Sequence, residues 1–344
     1  MGYLSSLLTF IFIFADVVFY MTKDEPLVPA LFIFGDSIVD VGNNNYIYAS
    51  VKANFFPYGR DFVTRTPTGR MSNGKLSVDY ASEYAGFSSY QPAYLSLNTK
   101  GDNLLNGANF ASSASGYHFS IAALYHAVPL MQQLELYKDC QKELVKIAGK
   151  TNATSIISGA AYILVAGAGD FAENYYIYHS GMASRPCHFN LENLDLYALG
   201  ARKIGVTMLP PIGCIPIIIT LYGSGNNKCV EEINDVALNF NKKLNFTTEN
   251  LVKMLSGLNL VFFDLYQPLY ELVTKPSNYG FFEARKGCCA SGLVEVGFTC
   301  NRKSIGTCAN ASEYVFWDSL HPTQATNKFL IDRLIPAIIS LVYN

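Results

Sequence analysis

The sequence predicts an α/β protein: a three-layer α/β/α sandwich whose central sheet is mainly parallel. Short apolar runs alternate along the chain with stretches of helical spacing, and such alternation is typical of parallel sheets. The apolar runs are apolar on both faces, as buried parallel strands are. No Pro- or Ser-rich linker divides the 344 residues. We therefore expect a single domain over residues 30–344, after an N-terminal segment of residues 1–29.

Four apolar runs and one shorter segment are the strand candidates: residues 30–34, 162–166, 203–207 and 260–264, and the short segment 109–111. Apolar residues at helical spacing predict three helices, around residues 130–137, 233–244 and 329–338. Binding and catalytic residues of open α/β sheets lie beyond the carboxyl ends of the strands. The segments that follow the predicted strands are therefore where chemistry is expected.

The composition excludes several classes of protein. Half of the residues are apolar and 15% are charged, which excludes an intrinsically disordered chain. The formal net charge is −2, so electrostatics does not favour a nucleic-acid partner. Gly and Pro follow no repeating period, which excludes collagen-like and solenoid architectures.

The N-terminus predicts a secreted protein. Residues 4–20 are mostly apolar. The core of a signal peptide is usually about 7–15 apolar residues long, whereas a membrane-spanning helix needs about 20. Asp16 would be costly in the middle of a bilayer, so we expect a signal peptide and no stable membrane span after its removal. No Lys or Arg precedes the apolar run, and a buried helix or an uncleaved anchor is the alternative.

The cysteines and sequons agree with secretion. The chain has eight cysteines, an even number that suits an oxidising compartment. Cys214 and Cys229 flank a Gly/Asn-rich loop that they could close. Four others indicate a stapled loop, with a zinc site as the alternative that the lack of C-x-x-C spacing disfavours: Cys288, Cys289, Cys300 and Cys308. Three N-x-S/T sequons are glycosylation candidates: Asn152, Asn245 and Asn310.

Two segments carry residues that could act together in nucleophilic catalysis. Ser37 follows the first predicted strand, where Gly35 allows a sharp turn that surrounds a hydroxyl with backbone N–H groups. His321 lies three residues after Asp318, so that carboxylate could orient the imidazole as a base for a serine. An ordinary Asp-Ser turn is the alternative for the first segment. The G-x-S-x-G elbow of α/β-hydrolases is absent.

Two Gly-containing segments are candidates for presenting backbone N–H groups. Residues 106–112 are small enough for the backbone to approach a developing oxyanion, with a tight loop as the alternative. Residues 167–172, Gly-Ala-Gly-Asp-Phe-Ala, satisfy the G-x-G-x-x-A dinucleotide fingerprint. We reject NAD binding, because Asp170 would place a negative charge in a loop meant to hold a pyrophosphate.

Five blocks, taken in order, resemble the plant GDSL esterase/lipase family of the SGNH-hydrolase superfamily: residues 32–44, 68–75, 107–112, 209–214 and 314–323. The resemblance implies the flavodoxin-like fold of SGNH hydrolases. It also implies hydrolysis of carboxylic esters through an acyl-enzyme, with no metal and no organic cofactor. The substrate would be a small-molecule or lipid ester, and the protein would lie outside the cell, in the cell wall or apoplast.

The resemblance also implies roles for particular residues. Ser37 would be the nucleophile, His321 the general base and then the acid, and Asp318 the carboxylate that orients His321. The backbone N–H groups of Ser37 and Gly107 would bind the oxyanion. The third block of the family usually reads Gly-x-Asn-Asp, and its Asn side chain is a further oxyanion donor. Gly169 takes that position here, and the loss of such a donor costs about 10²–10³ in kcat.

A second departure from the family lies between residues 177 and 195. Relatives carry a longer, helical crossover there, whereas this stretch lacks helical periodicity. We expect that most of a surface helix is missing and that apolar sheet surface is left uncovered.

Two alternative functions remain open beside a secreted esterase. One is a catalytically impaired relative that acts as a secreted binding or structural protein, which Gly169 and the shortened crossover favour. The other is an acyltransferase that forms the same acyl-enzyme and passes it to an alcohol. No feature of the sequence separates a hydrolase from an acyltransferase.

Overall fold

Four parallel strands form the centre of the protein in the computed structural model, which describes residues 25–178 and 196–343. They lie side by side in chain order: β1 (Leu31–Gly35), β2 (Ala161–Val165), β3 (Lys203–Thr207) and β4 (Asn259–Phe263). All pairings are parallel. Each strand lies within one residue of its predicted bounds. β1 and β2 are buried along their whole length, as expected for strands covered on both faces.

Residues 106–112 run parallel to the free edge of β1. The carbonyl of Asn106 accepts from the N–H of Leu31 (3.0 Å), and the N–H of Ser112 donates to the carbonyl of Gly35 (3.0 Å). A parallel bridge joins Ile33 to Asn109 between these two contacts. The extended segment predicted around Asn109 is thus present. β1 therefore lies between β2 on one side and residues 106–112 on the other. The order of the sheet reverses at β1, and the sites of doubly wound sheets form at such a switch point.

The helices cover both faces of this sheet. The α-helices within the described residues are α1 (Ser77–Tyr84), α2 (Phe119–Tyr125), α3 (Leu130–Gly159), α4 (Pro216–Tyr222), α5 (Glu231–Met254), α6 (Tyr266–Thr274) and α7 (Gln324–Tyr343). α3, α5 and α7 confirm the three predicted helices, and α3 is broken at Gly149, where φ is 77°. A π-helix, Asp170–Tyr178, follows β2.

Alternate strand residues pack against opposite layers, because successive side chains of a strand point to opposite faces. The even-numbered side chains of β1 and β2 pack with α3 and α5. The odd-numbered side chains pack with α1 and α7. Right-handed crossovers explain the division, since the chain moves one way from β1 through α1 and the other way through α3 and α5. The predicted three-layer sandwich is therefore confirmed.

Within the described residues, three disulfides lie in the C-terminal half of the chain. They join Cys214 to Cys229, Cys288 to Cys308 and Cys289 to Cys300. The closed loop and the stapled segment are thus confirmed, and the zinc alternative is wrong because these thiols are paired with each other. No group of three or more metal-ligating side chains occurs in the described ranges. The segment closed by the Cys288–Cys308 and Cys289–Cys300 disulfides connects β5 (Glu283–Gly287) to its parallel partner β6 (Tyr314–Phe316).

Several predictions concern residues outside the described ranges. The predicted signal peptide lies almost wholly within residues 1–24, and most of the shortened crossover lies within residues 179–195. The N–H of Leu27 donates to the carbonyl of Ala85 (2.8 Å), and Val28 is buried. The folded domain thus begins slightly before Ala30. Among the helices of the described ranges, none is long and apolar enough to cross a bilayer.

Candidate active site

The turn after β1 places Ser37 at the carboxyl edge of the sheet. Gly35 has a φ of 143°, and a Cβ on it would collide with the carbonyl oxygen of Val165 in β2. Only glycine fits this close approach. Gln133 of α3 fixes the backbone there: its Oε1 accepts from the N–H of Gly35 and its Nε2 donates to the Gly35 carbonyl, both at 2.9 Å. The position of Ser37 is thus set by two strands and one helix.

A tight turn after β6 carries Asp318 and His321. Asp318 Oδ1 accepts from the backbone N–H groups of Leu320 (2.9 Å) and His321 (2.7 Å), which is an Asx-turn. The N–H of Trp317 donates to the carbonyl of His321 (2.7 Å) and closes the turn. The three-residue spacing therefore brings the two side chains together locally.

The turn places the His321 ring between Asp318 and Ser37. His321 Nε2 lies 2.8 Å from Ser37 Oγ. His321 Nδ1 lies 2.9 Å from Asp318 Oδ2 and 3.0 Å from Oδ1. All three side chains are buried. With the Nδ1 proton directed to Asp318, Nε2 is the atom that can accept the Ser37 proton, as in a Ser-His-Asp triad.

The surroundings of His321 make its imidazole more basic. Burial alone would lower the pKa of His321, but the charge and hydrogen bond of Asp318 outweigh burial. Together with smaller contributions from Glu173 and Asp36, they raise the pKa above its ordinary value. A more basic imidazole is a better acceptor for the serine proton. It also stays protonated, and unable to accept that proton, up to a higher pH.

Tyr58 and the disulfide-bonded segment support the turn from behind. The hydroxyl of Tyr58 donates to Asp318 Oδ2 (2.7 Å) and accepts from the N–H of Gly297 (2.9 Å). The N–H of Cys289 donates to the carbonyl of Trp317 (2.7 Å), and a Cβ on Gly287 would collide with the Asp318 backbone. None of these contacts was predicted, because Tyr58, Gly287 and Cys289 carry no sequence signal that points to the turn of Asp318.

Gly107 lies at the wrong end of the sheet for its predicted role. Its N–H donates to the carbonyl of Leu104 (3.0 Å), and its Cα packs beside Leu31, the first residue of β1. Ser37 follows the last residue of β1. The prediction that Gly107 binds the oxyanion is therefore wrong, because residues 106–112 run parallel to β1 and approach Ser37 at their far end. Ser115, just beyond that end, accepts from Gln133 Nε2 (3.0 Å).

Gly169 lies in the short helical turn that leads from β2 directly into the π-helix. A Cβ on it would lie 3.6 Å from the carbonyl oxygen of Ser115 and 3.9 Å from Glu173 Oε1, so there is room for a side chain. The next residue, Asp170, accepts from the N–H groups of Tyr117 (2.7 Å) and His118 (3.0 Å). These two hydrogen bonds hold the Asp170 carboxyl against residues 117–118.

Three carboxyl groups surround the Ser37 turn: Asp36 and Asp170 are buried, and Glu173 is partly buried. Asp36 Oδ1 accepts from the N–H of Ile38 (3.0 Å), whereas its buried Oδ2 has no hydrogen-bond partner within the described part of the chain. Burial raises the pKa of Asp36 to about 7 and that of Glu173 to about 7. Burial also raises the pKa of Asp170 to about 6, although its two backbone hydrogen bonds oppose the shift. These three carboxyl groups therefore keep their protons to a higher pH than ordinary carboxyl groups do.

An apolar cavity begins at Ser37 and runs beneath the odd-numbered face of the sheet. Gly169 and Glu173 line its site end, whereas Leu31 and Ala161, the first residues of β1 and β2, line its far end. Helices α1 and α7 form the opposite wall. The lining residues thus extend along the whole of β1, a five-residue strand of roughly 16 Å at about 3.3 Å per residue. Its aliphatic lining gave no signal in the sequence that could be told from core packing.

Known proteins match the chain along most of its length. A family model described as GDSL-like lipase/acylhydrolase matches residues 31–334. GDSL esterase/lipase At5g22810 of Arabidopsis thaliana is 53% identical over 345 residues, which cover 95% of this chain and 93% of that protein. GDSL esterase/lipase APG of the same plant is 51% identical over 326 residues, which cover 92% of each chain.

Proposed function

This chain belongs to the GDSL lipase/acylhydrolase family and is a serine ester hydrolase, and we propose that Ser37, His321 and Asp318 carry out its reaction. Ser37 Oγ attacks the ester carbonyl carbon while His321 Nε2 accepts the hydroxyl proton. His321 returns this proton to the leaving alcohol, which leaves an acyl-Ser37 that water hydrolyses by the same steps. Asp318 stabilises the imidazolium. The observation that carries the proposal is the 2.8 Å contact from His321 Nε2 to Ser37 Oγ, with Asp318 at Nδ1.

The donors to the oxyanion are the weak part of this site. We propose the backbone N–H of Ser37 as one donor, and a second backbone donor from residues 112–116 in place of Gly107. Gly169 supplies no side-chain donor. Because one such donor is worth about 10²–10³ in kcat, hydrolysis is expected to be slower than with an asparagine at position 169.

The cavity supports an ester with an apolar acyl group as the substrate. Its site end is at Ser37, where the acyl carbon would be bound, and its length suits a medium-length chain lying along β1. Each methylene removed from water contributes about 0.8 kcal/mol. We therefore propose that longer acyl esters are hydrolysed with a higher kcat/KM than acetates.

Secretion is supported by the covalent chemistry of the domain. Disulfides form and persist in oxidising compartments, and the described residues contain three. Asn152 and Asn310 are exposed and Asn245 is partly exposed, so each is accessible for glycosylation. We propose that residues 1–29 include a signal peptide and that the folded domain acts outside the cell.

Hydrolysis of p-nitrophenyl butyrate by the full chain, expressed in a secretory host, tests the reaction. Ser37→Ala is expected to lower kcat by at least about 10³, the scale on which loss of a triad member acts. Ser155→Ala, an exposed serine on α3, is the matched control and is expected to retain full activity. Equal activity of Ser37→Ala and the wild type would refute the proposed nucleophile.

A further inference from the structure

Glu173 faces the position from which the side-chain donor is missing. A Cβ on Gly169 would lie 3.9 Å from Glu173 Oε1, in ordinary van der Waals contact. A side chain that extended from position 169 would therefore reach the space beside the Glu173 carboxyl. Gly169, Glu173 and Ser37 also line the same end of the cavity. The Glu173 carboxyl is thus a polar group close to where a donor at position 169 would act.

We propose that Glu173 is a further catalytic residue, whose protonated carboxyl donates a hydrogen bond to the oxyanion in place of the donor absent at position 169. This inference rests on the function proposed above, in which Ser37 is the nucleophile. When Ser37 Oγ bonds to the carbonyl carbon, the hydroxyl proton moves to His321 and the carbonyl electron pair moves to the oxygen. The Glu173 proton stays on Glu173 and is shared with that oxygen as a hydrogen bond. When the intermediate collapses, the alcohol leaves with the proton from His321, and Glu173 is unchanged.

The groups around Glu173 favour its neutral form. His321 and Asp318 face it from the turn after β6, Asp170 from the first turn of its own π-helix, and Asp36 from the end of β1. Burial, together with the Asp318 and Asp170 carboxylates, raises the pKa of Glu173 to about 7, although His321 opposes the shift. Only the neutral acid can donate a hydrogen bond, because a carboxylate is solely an acceptor and would repel the oxyanion.

The pH dependence of hydrolysis follows from this role. Above about pH 7 Glu173 loses its proton, so that roughly one tenth of the molecules carry the donor one pH unit higher. In acid, activity falls for a different reason, because His321 becomes protonated and cannot accept the Ser37 proton. The wild type is therefore expected to show a narrow, bell-shaped profile of kcat.

Two substitutions separate hydrogen-bond donation from charge. Glu173→Gln supplies a permanent amide donor of nearly the same shape, whereas Glu173→Ala removes both the donor and the charge. Full-chain variants are assayed with p-nitrophenyl butyrate between pH 5.5 and pH 8.5, roughly the range over which His and a raised carboxyl titrate. Reaction with a fluorophosphonate is followed in parallel, since labelling of Ser37 reports an intact fold and nucleophile.

The expected result is that Glu173→Gln exceeds the wild type about tenfold at pH 8 and shows no decline on the basic side. Glu173→Ala is expected to fall at least about tenfold below Glu173→Gln at every pH. Equal activity of the Gln and Ala variants, or a basic decline that persists in Glu173→Gln, would overturn the proposal while Ser37 labelling upheld the nucleophile. Absence of Ser37 labelling in the wild type would overturn the proposed function itself, and this inference with it.

Discussion

The hydroxyl of Tyr58 donates a hydrogen bond of 2.7 Å to Oδ2 of Asp318, which lies 260 positions further along the chain. The same carboxylate accepts from two backbone N–H groups and from the His321 ring. Tyr58 itself is buried, and its hydroxyl is held by the N–H of Gly297. The orientation of Asp318, and through it that of His321, thus depends on a residue in another part of the chain.

Replacing Tyr58 with Phe is expected to lower kcat roughly tenfold and to leave KM nearly unchanged. A hydrogen bond to a charged group contributes about 1.5–3 kcal/mol, and its loss frees one oxygen of Asp318 to move. Without the Tyr58 hydrogen bond, the negative charge of Asp318 would interact more strongly with the His321 imidazolium and raise the pKa of His321. The acid limb of the pH profile is therefore expected to move to higher pH. Tyr48→Phe, at a tyrosine that is 90% exposed, is the control. A Tyr58→Phe enzyme with an unchanged acid limb would show that Tyr58 is only a packing residue.

Adding an asparagine at position 169 is expected to accelerate hydrolysis at pH 8 by at least about tenfold. A Cβ fits there at ordinary contact distances, and the amide would supply a donor independent of pH. Gly169→Ala adds the Cβ without the donor and is expected to leave kcat close to that of the wild type. In a Glu173→Gln background the gain is expected to be small, because the two amides would serve the same oxygen. Equal rates for Gly169→Asn and Gly169→Ala would count against a missing donor.

Filling the cavity from α1 is expected to change chain-length preference rather than chemistry. Ala81 lines the cavity wall, and Ala81→Phe would occupy the space proposed for the acyl chain. The kcat/KM for an octanoate ester is expected to drop by at least about tenfold, because several methylenes worth about 0.8 kcal/mol each stay in water. The value for an acetate ester is expected to change little. Ala123→Phe, at an exposed alanine of α2, controls for the added ring, and a parallel loss for both esters would refute the cavity as the acyl site.

The titratable groups around Ser37 predict that the protein is more stable at pH 5 than at pH 8. The pKa of Asp36 and of Glu173 is raised to about 7, that of Asp170 to about 6, and that of His321 is also raised. Each group binds protons more tightly in the folded chain than in the unfolded chain. The free energy of unfolding therefore decreases as the pH rises from about 4 to above 7.

Thermal unfolding at pH 5, 6.5 and 8 checks this expectation. The midpoint temperature is expected to fall by several degrees across this range, and Asp36→Asn is expected to flatten the dependence. The amide can still accept from Ile38, which contacts Asp36 Oδ1. A midpoint that rises from pH 5 to pH 8 would contradict the assignment of raised pKa values to these carboxyls.

The fold and the proposed triad were predictable because their signals are local. Buried parallel strands are apolar on both faces, and this pattern placed all four strands within one residue. The Asp318–His321 pair is built by one Asx-turn, so its geometry is encoded in four successive residues. Gly107 was misplaced because the motif alone does not say which end of a parallel segment meets the end of β1. Hydrogen bonds of residues 106–112 to β1 settle that question.

Tyr58 and Glu173 could not be predicted because their contacts are tertiary. Tyr58 contacts Asp318 because two segments that are distant in the chain pack together. The chain has 23 tyrosines, and nothing in the sequence distinguishes Tyr58 from the others. Glu173 acquires its place from a π-helix that turns its carboxyl toward Gly169. The sequence around Glu173 carries no motif that points to a role for this carboxyl.

Covalent labelling of the full chain with a fluorophosphonate, mapped by mass spectrometry of its peptides, is the direct test of Ser37 as the nucleophile. We expect one adduct, on Ser37, which is abolished in Ser37→Ala and strongly slowed in His321→Ala, while Ser155→Ala is labelled like the wild type. An adduct on another serine, or a folded protein in which Ser37 stays unlabelled, would contradict the assignment of Ser37 as the nucleophile.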